Sequence, residues 1–214
     1  MKRVLILAIL LFVTAPFAQA VCAPEKLVRI IYRDRTPGIG EFQFEGQPVT
    51  VWRLGKDYGR IEEVAAPEFG RHSLWISNEP DHWKVNLLTG MGNYKMNRTT
   101  DSWFRAPVFG EGEVPGTLAT MEFGCERDFM VQHASAPPTK AKLKDFDILN
   151  YEVTDGDYLV RLAIIERLDM PFGLGLYKDG ELVRFLRYEL YQDGLPADTS
   201  PFWPPANVQY ISAD

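Results

Sequence analysis

The chain has 214 residues, of which 46% are hydrophobic, so it is long and apolar enough to bury the core of one domain. Its 29 acidic and 23 basic residues give a formal net charge of −6, and its lysines and arginines occur only in isolated short patches. A general nucleic-acid binder needs a basic footprint. The acidic balance therefore excludes that class of function.

The first 20 residues have the features of an export signal. Lys2 and Arg3 give a positive start, residues 4–13 are an unbroken apolar stretch, and Ala18-Gln19-Ala20 fits the small-x-small pattern that signal peptidase reads. The apolar stretch is shorter than the roughly 20 residues that a bilayer span needs. We therefore expect cleavage after Ala20, a single mature domain over residues 21–214 and a periplasmic location. A retained membrane anchor is the alternative.

The two cysteines, Cys22 and Cys125, both lie in the part of the chain expected to be exported. An even cysteine count in an oxidising compartment favours a disulfide, so we predict that the two are bonded. The alternative is a buried, unbonded Cys125 with Cys22 free in the N-terminal tail. A lipid anchor on Cys22 is disfavoured, because a lipobox needs Gly, Ala or Ser directly before the cysteine and Val21 stands there.

Residues 25–97 have the pattern of an antiparallel meander. Short apolar or aromatic runs follow one another with polar turns between them, which leaves no room for a helix. In residues 41–45 the alternation is clean, with Phe42 and Phe44 on one side, as in a half-buried strand. The predicted strands are residues 25–32, 41–45, 49–54, 58–64, 73–77, 82–88 and 92–97.

Two stretches of this meander, residues 49–64 and 73–96, hold most of its large apolar side chains. We expect these side chains to form one apolar sheet face that another segment has to cover. The residues predicted for this face are Trp52, Leu54, Ile61, Leu74, Ile76, Trp83, Val85 and Leu87.

A loop rich in proline and glycine, residues 105–116, precedes the one good helix candidate, residues 117–134. We predict that this helix lies across the sheet with its methionine and phenylalanine side chains inward, because several apolar residues recur at helical spacing. Residues 139–145, which are basic, are interpreted as a link. The apolar residues of the predicted helix face are Leu118, Met121, Cys125 and Phe129.

The last third of the chain returns to strands. Asp179-Gly180 is a strong hairpin signal within it. A proline-rich tail, residues 194–205, leads to a last short edge strand over residues 207–212. The other predicted strands are residues 148–153, 158–165, 172–177 and 181–191.

Taken together, these features resemble the periplasmic lipoprotein-carrier superfamily (LolA/LolB-like). Within it, the chain looks like an uncharacterised member related to outer-membrane lipoprotein sorting. The segment WRLGKDYGRIEE followed by LWISNEPDHWKVNLLTGMGNYKM is similar to the grooved sheet of its less characterised members. The ending DTSPFWPPANVQYI is similar to the proline-rich close of the family. The resemblance implies a mostly β (α+β) fold, in which one curved antiparallel sheet forms an unclosed half-barrel with helices and loops on its concave face and room for acyl chains. This chain differs from the carriers in having one clear helix.

We expect no cofactor, no metal site and no enzymatic activity. The three histidines show no i, i+3 or i+4 spacing, and HExxH and CxxC are absent. GxSxG, SxxK and P-loop patterns are also absent. His82 beside Asp81 is interpreted as a solvated pair in a turn.

The predicted function is the binding of a lipid, an acyl chain or a lipoprotein segment in the apolar groove of the sheet. We expect a monomeric carrier or sorting factor with at most transient membrane contact. The alternative is a cell-envelope module that docks a protein partner through a strand edge or the tail, without a small ligand. The residues predicted to line the groove are Phe42, Phe44, Trp52, Leu54, Trp75, Trp83, Val85, Met121 and Phe129.

Overall fold

The structure is a computed structural model that describes residues 22–99 and 103–212. The export signal predicted at residues 1–20 lies outside the described residues. Within these ranges there is one α-helix, α1 (Glu126–His133). The strands found there are β1 (Leu27–Asp34), β2 (Val49–Leu54), β3 (Tyr58–Glu63), β4 (Ser73–Asn78), β5 (Asp81–Asn86), β6 (Met91–Met96), β7 (Thr139–Leu143), β8 (Phe146–Asp155), β9 (Tyr158–Ile165), β10 (Met170–Lys178), β11 (Glu181–Leu195) and β12 (Gln209–Ser212).

All these strands belong to one sheet, in the order β12-β6-β5-β4-β3-β2-β1-β11-β10-β9-β8-β7. Neighbours are antiparallel except for β12, the predicted last edge strand, which pairs with β6 in parallel. Because β7 and β12 lie at opposite ends of the order, the curved sheet stays an unclosed half-barrel. The fold class expected from the sequence is confirmed.

The hairpin signal between β10 and β11 works through backbone geometry. Asp179 and Gly180 both have positive φ angles, 51° and 82°. A two-residue turn of this kind matches the right-handed twist of the flanking strands, and the Asp-Gly pair is favoured in it because glycine adopts positive φ without steric cost.

The strand predicted at residues 41–45 is wrong. These residues form turns, in which Gln43 N–H donates to the Gly40 carbonyl at 3.1 Å, and a short 3₁₀ helix follows at Phe44–Gly46. The physical reason is that β1 already pairs with β2 on one side and β11 on the other, so the segment has no free edge to join. Phe42 is consequently 94% exposed.

The helix predicted over residues 117–134 is only partly correct, because α1 begins at Glu126. The preceding Gly116–Thr120 is a 3₁₀ helix, and Gly124 has a φ of 90°. Phe123 N–H donates to the Ala106 carbonyl at 2.8 Å, and Val108 N–H donates to the Met121 carbonyl at 3.0 Å. These bonds to the neighbouring loop replace the ones that would have continued the helix.

The basic link predicted over residues 139–145 is also wrong, since Thr139–Leu143 is strand β7. It pairs with β8 along its whole length and forms the free edge of the sheet. Lys140 and Lys142 are exposed there, and lysines on an edge strand discourage pairing with other chains. The lysine content is therefore a property of an edge rather than of a linker.

The concave face carries the main core, which is completed by residues 103–134, called here the plug. The sheet residues of this core come from β1, β2 and β8 to β11: Val28, Ile30, Val51, Val153, Val160, Leu162, Ile164, Leu174, Leu176, Leu186 and Tyr188. The plug supplies Phe104, Ala106, Val108, Phe109, Val114, Leu118, Met121, Phe123, Phe129 and Met130. No buried residue of β4, β5 or β6 belongs to it among the described residues.

The convex face carries a second core, covered by the C-terminal tail. Phe202 is 0% exposed there, and the Pro201 carbonyl accepts a hydrogen bond from Arg60 Nη1 at 3.0 Å. Ile61 is an exception to the predicted face, because it packs against the concave core instead. Leu87, directly after β5, also packs in the second core, and the strand residues of the second core are Leu27, Trp52, Leu54, Tyr58, Leu74, Ile76, Trp83, Val85, Leu195 and Tyr210.

Arg53 of β2 joins the plug to the sheet. Its side chain is fully buried, and its Nη1 lies 2.6 Å from Glu122 Oε2 in the plug. Its Nη2 donates to the Cys22 carbonyl at 2.8 Å and to the Phe104 carbonyl at 2.9 Å. One guanidinium therefore fixes the N-terminal segment and both ends of the loop that precedes α1.

The predicted disulfide between Cys22 and Cys125 is confirmed. Since Cys125 directly precedes α1, the bond ties the chain ahead of β1 to the start of the helix. A sulfur in a disulfide cannot carry a thioether-linked lipid, which excludes the lipid-anchored alternative for this state of the protein. In the part of the chain that the structure describes, no helix is long and apolar enough to cross a membrane.

We expect Arg53→Met to lower the free energy of unfolding by about 3–5 kcal/mol, because it leaves the buried Glu122 carboxylate without its closest partner. Urea denaturation followed by circular dichroism measures this loss. Arg161→Met is the control, since its ion pair with Glu152 is exposed and contributes less than about 1 kcal/mol. Equal losses in the two variants would contradict the role given to Arg53.

Phe202→Ala tests the tail as part of the fold. Emptying a fully buried aromatic site costs about 3–5 kcal/mol of unfolding free energy. The neighbouring Trp203 is 60% exposed, so Trp203→Ala is expected to cost less than about 1 kcal/mol. Thermal unfolding of both variants distinguishes a tail anchored through Phe202 from one that is loosely attached.

Candidate functional site

The plug covers only part of the concave face and leaves an open groove beside it. This groove lies over β2 to β6, is bounded by the plug residues Trp103, Phe104 and Arg105, and has a volume of about 690 Å³. Ile76 and Trp83 also border it, although their side chains pack in the second core. The remaining lining residues are Tyr32, Val49, Ile61, Glu63, Trp75, Ser77, His82, Lys84, Asn93 and Lys95.

A row of directly paired residues crosses five strands and runs from Val51 in the main core onto the floor of the groove. The register pairs Val51 with Ile61, Ile61 with Trp75, Trp75 with Lys84, and Lys84 with Asn93. Residues paired in this way lie side by side on one face of the sheet. The floor therefore changes from aliphatic to aromatic to cationic and polar between β2 and β6.

A second depression continues the groove toward the sheet edge. It has a volume of about 510 Å³ and shares Trp75, Lys84 and Asn93 with the first. Ile211 of β12 and Met91 of β6 line its far end. The two depressions form one trough, with Trp75 and Lys84 at its middle.

The plug wall of the groove depends on Gly59. A Cβ atom at this position would lie 2.1 Å from the Phe104 ring, so the ring rests directly on the backbone of β3. Phe104 N–H also donates to the Lys56 carbonyl at 2.9 Å. At the apolar end, Tyr32 stacks on Phe123 with ring centroids 4.4 Å apart, and burial raises its pKa to about 12. The phenol is therefore neutral at physiological pH.

The charges in the trough are unevenly compensated. Arg71 is neutralised by two bonds to Glu63, of 2.6 and 2.8 Å, and Arg105 Nε lies 3.2 Å from Glu122. Lys84 and Lys95 are exposed, and no carboxylate of the described residues lies within ion-pair distance of either. The Lys84 ammonium lies 5.5 Å from the centre of the Trp75 ring. Among the described residues, Lys84 and Lys95 are thus two positive charges without an ion-pair partner beside an aromatic surface.

Of the residues predicted to line a groove, Trp75 lies in this one. Trp52, Leu54, Trp83 and Val85 lie on the convex side, in the core under the tail. Met121 and Phe129 are in the plug, where they fill the main core. Phe42 is exposed on the β1–β2 connection, and Phe44 packs against Phe69 and Arg71.

Sequence reasoning missed Tyr32, Val49, Ile61, Phe104 and the two lysines of the trough. Alternation within β2 and within β3 shows which residues of each strand lie on the same side. The pairing between the two strands decides which side of β3 faces the same way as a given side of β2. The three-residue connection between Leu54 and Tyr58 sets that register and was the available signal.

The plug contains a buried carboxyl, Glu126, at the start of α1. It is 0% exposed and accepts hydrogen bonds from Gly124 N–H at 2.8 Å, Tyr191 at 2.9 Å and Tyr188 at 3.0 Å. Burial raises the pKa of this carboxyl, and the hydrogen bonds offset part of that effect. A substrate in water does not reach it, so its role is to hold α1 on β11. No cluster of metal-ligating side chains occurs in residues 22–99 and 103–212.

Comparison with known proteins supports the fold and assigns no family. No protein-family description matches the chain, and no curated protein matches it. An uncharacterized conserved protein from Thermus thermophilus aligns with 88% of this chain and 91% of its own, at 10% identity and a TM-score of 0.50. MucB aligns at 10% identity and a TM-score of 0.47 over 87% of this chain, which spans 60% of the MucB chain. PNGF-II aligns at 8% identity and a TM-score of 0.37, over 88% of this chain and 32% of its own.

Glu126→Gln tests the buried carboxyl. Because the folded-state pKa is raised, the folded protein holds this proton to higher pH than the unfolded chain does. The wild-type unfolding free energy is therefore expected to decrease, relative to that of the variant, as pH rises from about 4.3, the ordinary glutamate pKa, through the folded-state value. Urea unfolding of both proteins across this range measures the difference. Parallel pH profiles would contradict a raised pKa.

Proposed function

We propose that this protein is an exported binding or carrier protein that holds a lipid, an acyl chain or a lipoprotein segment in the trough over β2 to β6. The observation that carries the proposal is the uneven cover of the sheet. The plug covers the concave side of β1, β2 and β8 to β11, and the tail covers the convex side of the N-terminal strands, whereas the concave face around Ile61 and Trp75 keeps an open groove.

The trough has the size and surface for a hydrophobic chain. Its larger depression, with a volume of about 690 Å³, lies within the range of small-ligand sites, roughly 300–1,000 Å³. Tyr32, Val49, Ile61 and Phe104 provide apolar walls, and each buried CH₂ group of a ligand contributes about 0.8 kcal/mol. Binding of this kind needs no catalytic group.

Export and the family relationship belong to the same proposal. The Cys22–Cys125 disulfide is typical of proteins in oxidising compartments. The half-barrel with a plug on its concave face is the architecture expected from the LolA/LolB resemblance. Residues 1–20 would supply the export signal.

The alternative is an interaction module that binds an envelope protein through the tail or a strand edge. Both surfaces are less suited to binding a partner than the trough is to binding a ligand. The tail is engaged through the buried Phe202, so a partner binding there would have to displace part of the core. Of the two sheet edges, β7 carries Lys140 and Lys142, which oppose strand addition, and β12 is a strand of only four residues. The trough, by contrast, is open along β2 to β6.

The first test is native mass spectrometry of the mature protein purified without detergent, followed by titration with monomeric lysophospholipids. We expect a bound species of lipid mass that organic extraction removes. Trp75→Ala should weaken lysophospholipid binding roughly tenfold or more, equivalent to about 1.4 kcal/mol. Trp203→Ala is the matched control, because it removes an exposed tryptophan outside the trough. Absence of lipid binding, or equal effects of the two variants, would refute the proposal.

A further inference from the structure

The polarity of the trough has a direction. Its larger depression has an apolar end at β2 and β3, lined by Val49 and Ile61, and a cationic end at β5 and β6, around Lys84 and Lys95. Trp75 stands between the two ends, paired with Ile61 on one side and Lys84 on the other. A ligand that fits both ends is an amphiphile rather than a plain hydrocarbon.

The two lysines are placed to act on one group. Lys84 pairs with Asn93, two residues before Lys95 on the same strand face, so the lysines are diagonal neighbours. Diagonal neighbours lie about 7–8 Å apart, with their Cβ atoms somewhat closer, so long side chains at these positions reach one another. The ammonium groups of two such lysines can contact a single phosphate, for which lysine is a suitable point charge.

Among the described residues, the two lysines have no ion-pair partner, although the protein is acidic. The chain has 29 acidic against 23 basic residues; Arg71 is paired with Glu63, and Arg105 shares Glu122 with Arg53. Two like charges held on one face repel each other, and an anion between them removes that repulsion. From the row of paired residues and this pair of lysines we infer that the ligand is an amphiphile. Its anionic phosphate headgroup lies over β5 and β6, and its chain extends toward β2 and β3.

This inference rests on the proposed function and predicts a headgroup preference. We expect the wild-type protein to bind lysophosphatidylglycerol more tightly than lysophosphatidylcholine of the same chain length. The two exposed charges should give a preference of roughly 3- to 20-fold. Isothermal titration calorimetry below the critical micelle concentration measures both affinities, and raising the salt concentration should shrink the preference.

The double variant Lys84→Gln/Lys95→Gln is expected to lose the preference. Lys140→Gln/Lys142→Gln is the matched control, because it removes two lysines from β7 at the opposite edge of the sheet and should keep the preference. Glycerol 3-phosphate tests whether the headgroup alone suffices, and it should bind at least tenfold more weakly than lysophosphatidylglycerol because it lacks the chain.

The outcomes separate the two proposals. Failure of both lysophospholipids to bind refutes the proposed function. Equal binding of both, or a preference that survives in Lys84→Gln/Lys95→Gln, refutes the anionic headgroup while leaving the hydrophobic site in place. If glycerol 3-phosphate bound as tightly as lysophosphatidylglycerol, the site would be a phosphate site, and the proposal of an amphiphilic ligand would be refuted.

Discussion

The buried ion pair between Arg53 and Glu122 is the interaction on which the rest of the structure depends. A fully buried guanidinium is stable only when its hydrogen-bond donors are met, and here the partners come from the plug and the N-terminal segment. By holding the Phe104 carbonyl, Arg53 also sets the wall of the trough. The disulfide at Cys125 reinforces the same junction. Fold and candidate site therefore share one polar anchor.

The sheet is covered by different segments on its two sides, and the mismatch between their extents creates the site. The plug packs on β1, β2 and β8 to β11 on the concave side, where two tyrosines of β11 donate hydrogen bonds to Glu126 and hold α1 on the sheet. The tail follows the other side of the N-terminal strands through Phe202. On the concave side, strands β4 to β6 contribute no buried residue to the main core, and the open groove lies there.

Within the trough, ordinary sheet geometry produces a gradient suited to an amphiphile. A row of directly paired residues runs from Val51 to Asn93 and turns from aliphatic to cationic along its length. Lys84 lies over Trp75, which joins the apolar part to the charged part. The row is buried at Val51 and becomes more exposed toward Lys84 and Asn93, so its polarity and its exposure rise together.

The sequence by itself determined most of the strands, most turns, the disulfide and the sheet class, because period-two alternation and turn residues such as Asp179-Gly180 act over short distances. Tertiary structure decided which segment covers which side. Trp52 was correctly assigned to an apolar face, but that face belongs to the tail, and Ile61 lies on the opposite side because the β2–β3 register pairs it with Val51. Residues 41–45 alternate like a strand, but β1 already pairs with β2 and β11, so they have no neighbouring strand to pair with. Residues 117–125 have the apolar spacing of a helix, but their backbone groups bond to the neighbouring loop of the plug instead. These outcomes depend on contacts such as Arg53 with Glu122, 69 residues apart, which no local pattern specifies.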